Sequence, residues 1–377
     1  MSRSIKFSSS KQKPRIAVVG TVGLPSQYGG FETLVDNLIN FHETTKLESK
    51  ITVYCSRKTY SKPRLYKYKT ASLRYIPLHA NGAHSVLYDI VSMFLALING
   101  DNRVLLLGVS GAVGLPFLRL FTWVKIVTNI DGLEWKRAKW NMFARIFLRW
   151  SERIAVQFSH EIIADNEAIA RYVKAVYGKE VNVIAYGGDH ALQHPPMRSE
   201  IFNVPERYAL SLCRIEPENN VHVILDAWSK IEMPLVFVGN WENSDYGRHL
   251  KRKYISNKNI SLIDPVYEPS ALRALRDNAI AYVHGHSAGG TNPSLVEMMH
   301  FGVPVFAWDC DFNRFSTDES AYYFSSSDGL VALIADYIAQ GDKGVGQKME
   351  DIARKKYNWS TIAMSYFRLL EKPFLNK

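Results

Sequence analysis

The sequence predicts an α/β protein with two open, mostly parallel β-sheets. Short β-rich runs alternate with helical patterns along the chain, and the alternation starts again near its middle. A chain of 377 residues is longer than one domain usually grows, and a hydrophobic content of 47% is ample for two cores. Two domains are therefore expected, joined near residues 186–197, where glycines and prolines follow the last strand of the first half.

Each half contains its own series of predicted strands. In the first half, strands are predicted at residues 15–20, 51–55, 73–77, 104–107, 125–129, 161–164 and 181–185, and helices near 31–41, 85–98, 139–158 and 167–176. In the second half, strands are predicted at residues 208–213, 235–239, 260–263, 279–283, 303–307 and 321–324. Ligands of such sheets bind outside the carboxyl ends of the strands, so the loops that follow the strands form the candidate site.

Charge and cysteine content limit the class of protein. The formal charge of +10, from 46 Lys and Arg against 36 Asp and Glu, favours polyanionic partners. The cations are scattered and form no stripe with stacking aromatics, which argues against nucleic acid. The three cysteines show no metal-type spacing and predict neither disulfides nor a zinc site, which points to a reducing cytoplasm. Residues 1–13 resemble a solvated basic tail rather than a signal peptide.

Three apolar segments invite comparison with membrane elements. Residues 85–98 are too short to cross a bilayer, and residues 104–127 contain glycines, a proline and charged residues, so both are interpreted as buried helix and strand. Residues 139–153 combine helically spaced aromatics with Arg145, Arg149 and Arg153. This pattern fits a helix at a membrane interface and also a helix packed on its own sheet.

Residues 284–297 form the most informative loop. They join a predicted strand to a predicted helix through small residues, with Asn292 suited to the N-cap and Pro293 to the first helical position. The unpaired amides of a helix start attract anions, and Gly289 and Gly290 let the backbone approach a ligand. The loop is therefore a candidate phosphate site.

Glu297 lies one turn into that predicted helix. Its carboxylate can accept hydrogen bonds from hydroxyls such as those of a nucleotide ribose. The alternative is a capping box, with Ser294 as the N-cap and Glu297 returning to its amide. Nearby, His284 and His286 are interpreted as catalytic, ligand-contacting or merely strand-end residues, and without a third ligand a metal role is not expected.

A second glycine-rich loop, residues 20–32, follows the first strand. It fits neither the dinucleotide fingerprint nor the phosphate-binding loop with its lysine, so an NAD or ATP site of the usual kind is not expected. Tyr28, Gly29 and Gly30 lie in a lip whose backbone can approach a phosphate or an acceptor. The alternative is an ordinary turn between strand and helix.

Two further loops carry charge at the ends of strands. Arg214 follows the first strand of the second half, where a guanidinium can clamp a diphosphate and stabilise a departing one; the alternative is a surface ion pair with Glu216 or Glu218. In residues 129–137, Asp131 can orient a hydroxyl or assist a nucleophile, and Trp135 can stack on a sugar or lipid headgroup. For the remaining charges of this loop, the alternative is surface pairing of Glu134 with Lys136 or Arg137.

Taken together, these segments resemble the rhamnosyltransferase-like branch of glycosyltransferase family 4. The resemblance rests on residues 23–32, 131–137, 214–220 and 289–297, and on residues 356–360, which match the start of that family's last helix. It covers nearly the whole chain. The order and spacing of the motifs are more specific than any one of them.

The resemblance implies a GT-B fold, in which two Rossmann-like domains face a central cleft and a C-terminal helix crosses back to the first domain. The expected limits are a basic tail at 1–13, an acceptor-binding domain at 14–190, a linker at 191–205, a nucleotide-sugar-binding domain at 206–357 and the crossing helix at 358–377.

The resemblance also implies roles for the residues of these loops. Arg214 would hold the donor diphosphate, and Asp131 would be the second catalytic residue, near the place where many relatives carry a histidine. The remaining donor-side candidates are Gly29, Gly30, Glu216, Gly289, Gly290, Thr291, Asn292 and Glu297. The acceptor-side candidates are Tyr28, Glu134, Trp135, Lys136 and Arg137.

Two positions depart from the family pattern. Gly289 stands where relatives carry a glutamate, and Asn219 stands where a lysine is often found. Either Asn292, His286 or Glu216 compensates, or the transferred sugar lacks the hydroxyl that the missing acid would recognise. A 6-deoxy sugar such as rhamnose is compatible with the second explanation.

The expected function is retaining transfer of a sugar, foremost rhamnose from dTDP-rhamnose, to a lipid-linked oligosaccharide of capsule, O-antigen or exopolysaccharide synthesis. The expected partners are a dTDP- or UDP-sugar, the lipid-linked acceptor and an anionic membrane, with neither a metal nor another cofactor. The expected location is cytoplasmic, at the inner face of the cytoplasmic membrane. The alternatives are a galactosyl, galactofuranosyl or other hexosyl transferase, and a GT-B-like sugar-nucleotide epimerase or phosphorylase.

Overall fold

Two mainly parallel sheets, one in each half of the chain, organise the computed structural model, which describes residues 13–26, 29–60, 63–136, 140–197 and 202–373. The first sheet has the order β3-β4-β2-β1-β5-β6-β7-β8, and β3 runs antiparallel to β4. Its strands are β1 (Arg15–Val19), β2 (Lys50–Ser56), β3 (Lys67–Tyr68), β4 (Ala71–Ile76), β5 (Arg103–Leu107), β6 (Lys125–Asn129), β7 (Glu161–Ala164) and β8 (Asn182–Val183).

Helices cover both faces of this sheet. They are α1 (Gly30–Thr44), α2 (His84–Ile98), α3 (Leu115–Phe121), α4 (Met142–Phe158) and α5 (Glu167–Tyr177). Helices α2 to α5 share one apolar core cluster, whereas α1 belongs to another. The side chains of Asn141 and Asn166 cap α4 and α5, and Gly178 ends α5 with φ 66°.

The second sheet is parallel throughout. Its order is β11-β10-β9-β12-β13-β14, with strands β9 (Tyr208–Leu212), β10 (Leu235–Val238), β11 (Ile260–Ile263), β12 (Ala279–His284), β13 (Val305–Trp308) and β14 (Tyr322–Phe324). Its helices are α6 (Val221–Trp228), α7 (Asp245–Tyr254), α8 (Pro269–Asp277), α9 (Pro293–Met299), α10 (Asp311–Ser316), α11 (Ser327–Gln340) and α12 (Val345–Lys356).

The last helix, α13 (Trp359–Glu371), returns to the first domain. Its ring of Phe367 stacks on Phe41 of α1 at 6.0 Å between centroids, and the hydroxyl of Tyr366 accepts from Asn129 Nδ2 at 2.7 Å. The helix shares a core cluster with both domains. It therefore fastens the two domains together, as the predicted crossing helix requires.

The predicted strands agree with the observed ones to within a few residues, with two differences. The strand predicted at 181–185 is only two residues long, and the short strand β3 was not predicted. Across the described ranges, none of the helices has both the length and the apolarity to cross a bilayer.

Candidate functional site

The loop between β12 and α9 is one of the places where the two domains touch. A Cβ on Gly132, in the loop after β6, would lie 2.8 Å from Cα of Gly289. A Cβ on Gly290 would lie 1.9 Å from a carboxyl oxygen of Asp165, which follows β7, and Thr291 Oγ1 donates to the Asp165 carbonyl. Glycine is therefore required on both sides of this contact, because a side chain would hold the loops apart.

Helix α9 begins as the sequence predicts. Asn292 is the N-cap, its side chain accepts from the Ser294 amide at 3.0 Å, and Pro293 is the first helical residue. The capping-box alternative is not formed, because Glu297 bonds to other partners.

Glu297 lies in a buried network that joins three parts of the chain. Its carboxylate pairs with Arg276 of α8 and, at 3.3 Å, with His190 Nε2 from the segment that links the domains. The indole Nε1 of Trp359, at the start of α13, donates to His190 Nδ1 at 2.9 Å. Burial acts to raise the pKa of Glu297, but Arg276 and His190 outweigh it and hold this pKa below its ordinary value. Glu297, which is predicted to bind the ribose, is therefore ionised, and it is bonded to the segment that links the domains.

Arg214 occupies the predicted position just beyond the carboxyl end of β9. Its side chain is 41% exposed and lies 3.8 Å from the carboxylate of Glu216. An ion pair that long and that exposed contributes little, so it does not account for the arginine. The guanidinium remains accessible to an anion on the cleft side of the sheet.

Asn219, which replaces the lysine of the family pattern, braces this loop. Its side-chain nitrogen donates to the Arg214 carbonyl at 2.7 Å, and its oxygen lies 2.6 Å from His286 Nδ1. The same histidine fills the place of the missing acid, since a Cβ on Gly289 would lie 2.7 Å from His286 Nε2. Of the three proposed compensating residues, His286 is therefore the one that the structure brings to Gly289.

His284 lies beneath this loop, at the end of β12. Burial, with a smaller contribution from His286, lowers the pKa of His284 well below its ordinary value. Its imidazole is therefore neutral at physiological pH, which favours the strand-end interpretation over general-acid catalysis.

Two aspartates follow neighbouring strands on the other side of the cleft. Asp131 has a left-handed backbone conformation, with φ 59°, and its amide donates to Asn129 Oδ1 at 2.9 Å. Burial, and then the charge of Asp131, raise the pKa of Asp165 well above its ordinary value. A carboxyl that keeps its proton can donate a hydrogen bond as well as accept one. Asp165 was not among the predicted site residues, although it too is a carboxylate directly after a buried strand.

Three of the predicted acceptor-side residues, Glu134, Trp135 and Lys136, lie in the loop that follows β6. The Trp135 indole donates to Glu152 at 3.1 Å, and the centroid of its ring lies 5.5 Å from Lys136 Nζ and 5.3 Å from Arg149 Cζ. The Glu134 carboxylate accepts from the Trp140 indole at 3.1 Å. Tyr28 and Arg137 lie outside the described residues.

The first glycine-rich loop is held by Glu32. This carboxylate accepts from Thr21 Oγ1 at 2.9 Å and from the Val22 amide at 2.7 Å. Gly29 is the N-cap of α1, and Gly30 is its first residue. The part of this lip that the structure describes is thus ordered by the helix that follows it.

Two site residues could not be found from local patterns. Arg276 lies 21 residues before Glu297 in the sequence, and His190 comes from the segment that links the domains. Among the described residues, no three His, Cys, Asp or Glu side chains are grouped so that they could hold a metal ion.

Comparisons with known families divide the chain into two parts. Residues 13–189 match the model described as Domain of unknown function (DUF1972), and residues 197–355 match the model described as Glycosyl transferases group 1. No curated protein matches the sequence significantly.

Solved structures match over almost the whole chain. Sucrose-phosphate synthase from Thermosynechococcus elongatus superposes with a TM-score of 0.78 at 14% identity, covering 95% of this chain and 98% of that one. HepE from Anabaena in complex with UDP-glucose gives 0.71 at 13% identity, covering 95% and 100%. The catalytic domain of starch synthase IV from Arabidopsis thaliana, bound to ADP and acarbose, gives 0.71 at 11% identity, covering 95% and 98%.

These likenesses show a GT-B fold, so the predicted fold class is confirmed. The match of residues 197–355 to Glycosyl transferases group 1, rather than the fold alone, supports a glycosyltransferase. More particularly, the C-terminal half of this chain is similar to Glycosyl transferases group 1, and its N-terminal half is similar to the domain described as DUF1972.

Proposed function

We propose that this protein is a retaining glycosyltransferase that takes a sugar from a nucleotide-sugar donor. The observation that carries the proposal is the position of Arg214 at the end of β9, in the domain whose loop from Gly289 to Thr291 contacts the loops that carry the two aspartates. The complex of HepE with UDP-glucose and that of starch synthase IV with ADP support a nucleotide donor.

The reaction breaks the bond between the anomeric carbon and the donor diphosphate and forms a bond from that carbon to an acceptor oxygen. Negative charge develops on the departing diphosphate. Arg214 and the backbone amides of the loop from Gly289 to Thr291 would stabilise it, because preorganised donors act most strongly on charge that appears in the transition state. Asp131 would orient the acceptor hydroxyl, and Glu297 would hold the ribose.

For the donor we propose dTDP-rhamnose. His286, rather than an acid, lies beside Gly289, which suits a sugar without the hydroxyl that an acid would recognise. UDP-galactose, a galactofuranosyl donor or another hexosyl donor would serve the same fold. We expect the reaction to need no metal and no other cofactor.

For the acceptor we propose a lipid-linked oligosaccharide of capsule, O-antigen or exopolysaccharide synthesis. The protein would then work from the cytoplasm, at the inner face of the membrane. Trp135, which has two cations close to its ring, is suited to the saccharide or to the charged headgroup of such an acceptor.

Thermal-shift measurements with a panel of nucleotide sugars test the donor. A ligand at a hundred times its Kd stabilises the native state by about 2.7 kcal/mol, so the true donor should stand out. The selected donor is then incubated with lipid-linked saccharide, with and without EDTA. Transfer that persists in EDTA supports the proposal. Interconversion of the donor sugar without any acceptor would instead identify an epimerase. Formation of a sugar 1-phosphate from a saccharide and added inorganic phosphate would identify a phosphorylase.

A further inference from the structure

The outer face of α2, α3 and α4 is unusually apolar. Of the 22 large apolar side chains that are exposed in the described residues, twelve lie on these helices or on the adjoining Trp123. Six of them are at least two-thirds exposed: Ile98, Leu120, Phe121, Trp123, Met142 and Phe143. We call the outer face of these helices, with Trp123, the three-helix surface.

The three-helix surface is continuous. The Phe94 ring of α2 lies 5.2 Å from Phe117 of α3, and Phe117 lies 4.7 Å from Phe121. Helix α3 in turn contacts α4. The three helices cover the same face of the first sheet, so their exposed residues form one patch rather than isolated positions.

The exposed apolar residues are additional to those that hold the domain together. Leu148, Ile154 and Ala155 of α4 are buried against the sheet, whereas Met142, Phe143 and Ile146 of the same helix are 61% to 78% exposed. Helix α4 therefore has an apolar residue set on both sides. One side packs on the sheet, as the packed-helix interpretation predicts, and the other side lies open.

The charges on the three-helix surface have a single sign. Each of its two carboxylates, Asp89 and Glu152, is only 2% exposed. The exposed charged residues of the three helices are arginines, Arg119, Arg145, Arg149 and Arg153. An apolar patch bordered by cations complements a bilayer with anionic headgroups, which takes up aromatic side chains and attracts arginine.

We propose that the three-helix surface docks this protein on an anionic lipid bilayer. The link to the acceptor rests on the proposed function: α4 starts directly beyond the loop that carries Trp135, so a docked bilayer would border the acceptor side of the cleft. The docking itself rests on the exposed residues and the arginines alone.

Vesicle flotation of the full chain tests the proposal. The vesicles contain phosphatidylcholine alone or with phosphatidylglycerol, and no saccharide. The wild type should float with the anionic vesicles only. The combined variant Arg145→Gln, Arg149→Gln, Arg153→Gln should bind on the order of a hundredfold more weakly, since each cation near an anionic surface contributes roughly fivefold. The variant Leu120→Ser, Phe121→Ser, Trp123→Ser should also lose binding.

Matched controls separate docking from general charge and apolarity. The variant Arg252→Gln, Lys348→Gln, Lys355→Gln removes the same net charge at exposed positions elsewhere, and Ile255→Ser with Ile338→Ser removes apolar groups that are 61% and 57% exposed. Both should float like the wild type. Quenching of the wild-type fluorescence by brominated lipid, reduced in Trp123→Phe, gives a second measurement that does not depend on the multiple variants folding.

The outcomes distinguish docking from the proposed function. A wild type that stays unbound, or surface variants that bind like the controls, would overturn the docking. So would light scattering that shows a dimer which the apolar variant converts to a monomer, because the surface would then join two copies. A protein that floats but transfers no sugar would contradict the proposed function and leave the docking supported.

Discussion

Arg214 combines partial exposure with a fixed loop. Asn219 donates a hydrogen bond to the Arg214 carbonyl, and the ion pair between Arg214 and Glu216 is long. The loop is therefore fixed while the guanidinium stays available for an anion. We expect Arg214→Ala to lower kcat by about 10²- to 10³-fold with every donor, because a preorganised group on the leaving charge is lost. Steady-state kinetics measure this, with Arg248→Ala on the outer helix α7 as the control. Turnover equal to the wild type would remove Arg214 from the catalytic site.

The buried carboxyl of Asp165 should make the stability of the protein depend on pH. Its folded pKa lies above the unfolded value, so the folded state binds more protons and stability falls as the pH rises above about 4. Asp165→Asn mimics the protonated carboxyl and should remove this loss, so it should be as stable as the wild type or more stable at pH 7. Thermal melting between pH 5 and 8 measures the difference. A variant less stable than the wild type by more than about 2 kcal/mol would mean that the native carboxyl is ionised.

The contrast between Asn292 and Glu297 shows which residue roles can be predicted from sequence. The cap at Asn292 is a local event within three residues, and its prediction is confirmed. The partners of Glu297 come from α8 and from the domain linker, and no spacing rule connects them to it. Asp165 lay within reach of sequence reasoning, since the rule that selected Asp131 also applies to it.

Among the elements, the hydrophobic pattern of the sequence was sufficient to predict nearly every strand of the two sheets. Buried parallel strands are apolar runs bounded by turns, and such runs are visible in the sequence. The two-residue strand β3 was missed because its residues, Lys67 and Tyr68, form no apolar run. Its pairing with β4 is determined by the tertiary structure.

Helix α13 depends on a buried lysine at its carboxyl end. Lys125 of β6 is 2% exposed and donates to the carbonyls of Leu369 and Lys372. These carbonyls form the negative end of the helix dipole, which interacts favourably with a cation. Burial lowers the pKa of Lys125 to about 8, below the value of about 10.4 for an unfolded chain. The unfolded state therefore binds more protons between these values, and stability rises with pH across that interval.

We expect Lys125→Met to abolish this part of the pH dependence. Between pH 7.5 and 10.5 the melting temperature of the wild type should rise relative to that of the variant, by the equivalent of about 1 to 3 kcal/mol. Lys355→Met, at an exposed position, should follow the wild type. Parallel curves for the wild type and Lys125→Met would show that this lysine keeps an ordinary pKa.

At the level of the whole molecule, the glycine-rich loops of the two domains touch backbone to backbone. Gly132 meets Gly289, Gly290 meets Asp165, and these are the loops that would hold donor and acceptor. This contact leaves no room for a ligand between Gly132 and Gly289, so we expect the two loops to separate when the donor enters. The network from Glu297 through His190 to Trp359 connects helix α9 to the crossing helix α13. We expect a separation of the loops to change the geometry of this network.

Gly132→Ala tests this movement without altering a polar group. The added methyl would lie 2.8 Å from Cα of Gly289, and backbone cannot yield as a side chain can, so the variant should be held in a more open arrangement. We expect kcat to fall about 10- to 100-fold, because misplacement by about 1 Å costs this much, while donor affinity, which the other domain determines, stays near the wild-type value. Small-angle scattering should show a larger radius of gyration for the variant with donor bound. Gly329→Ala in α11, whose Cβ would meet only the Ser326 hydroxyl at 3.2 Å, is the control. If the Gly132→Ala variant has the same kcat and the same radius of gyration as this control, the contact between the glycine loops is not part of the catalytic arrangement.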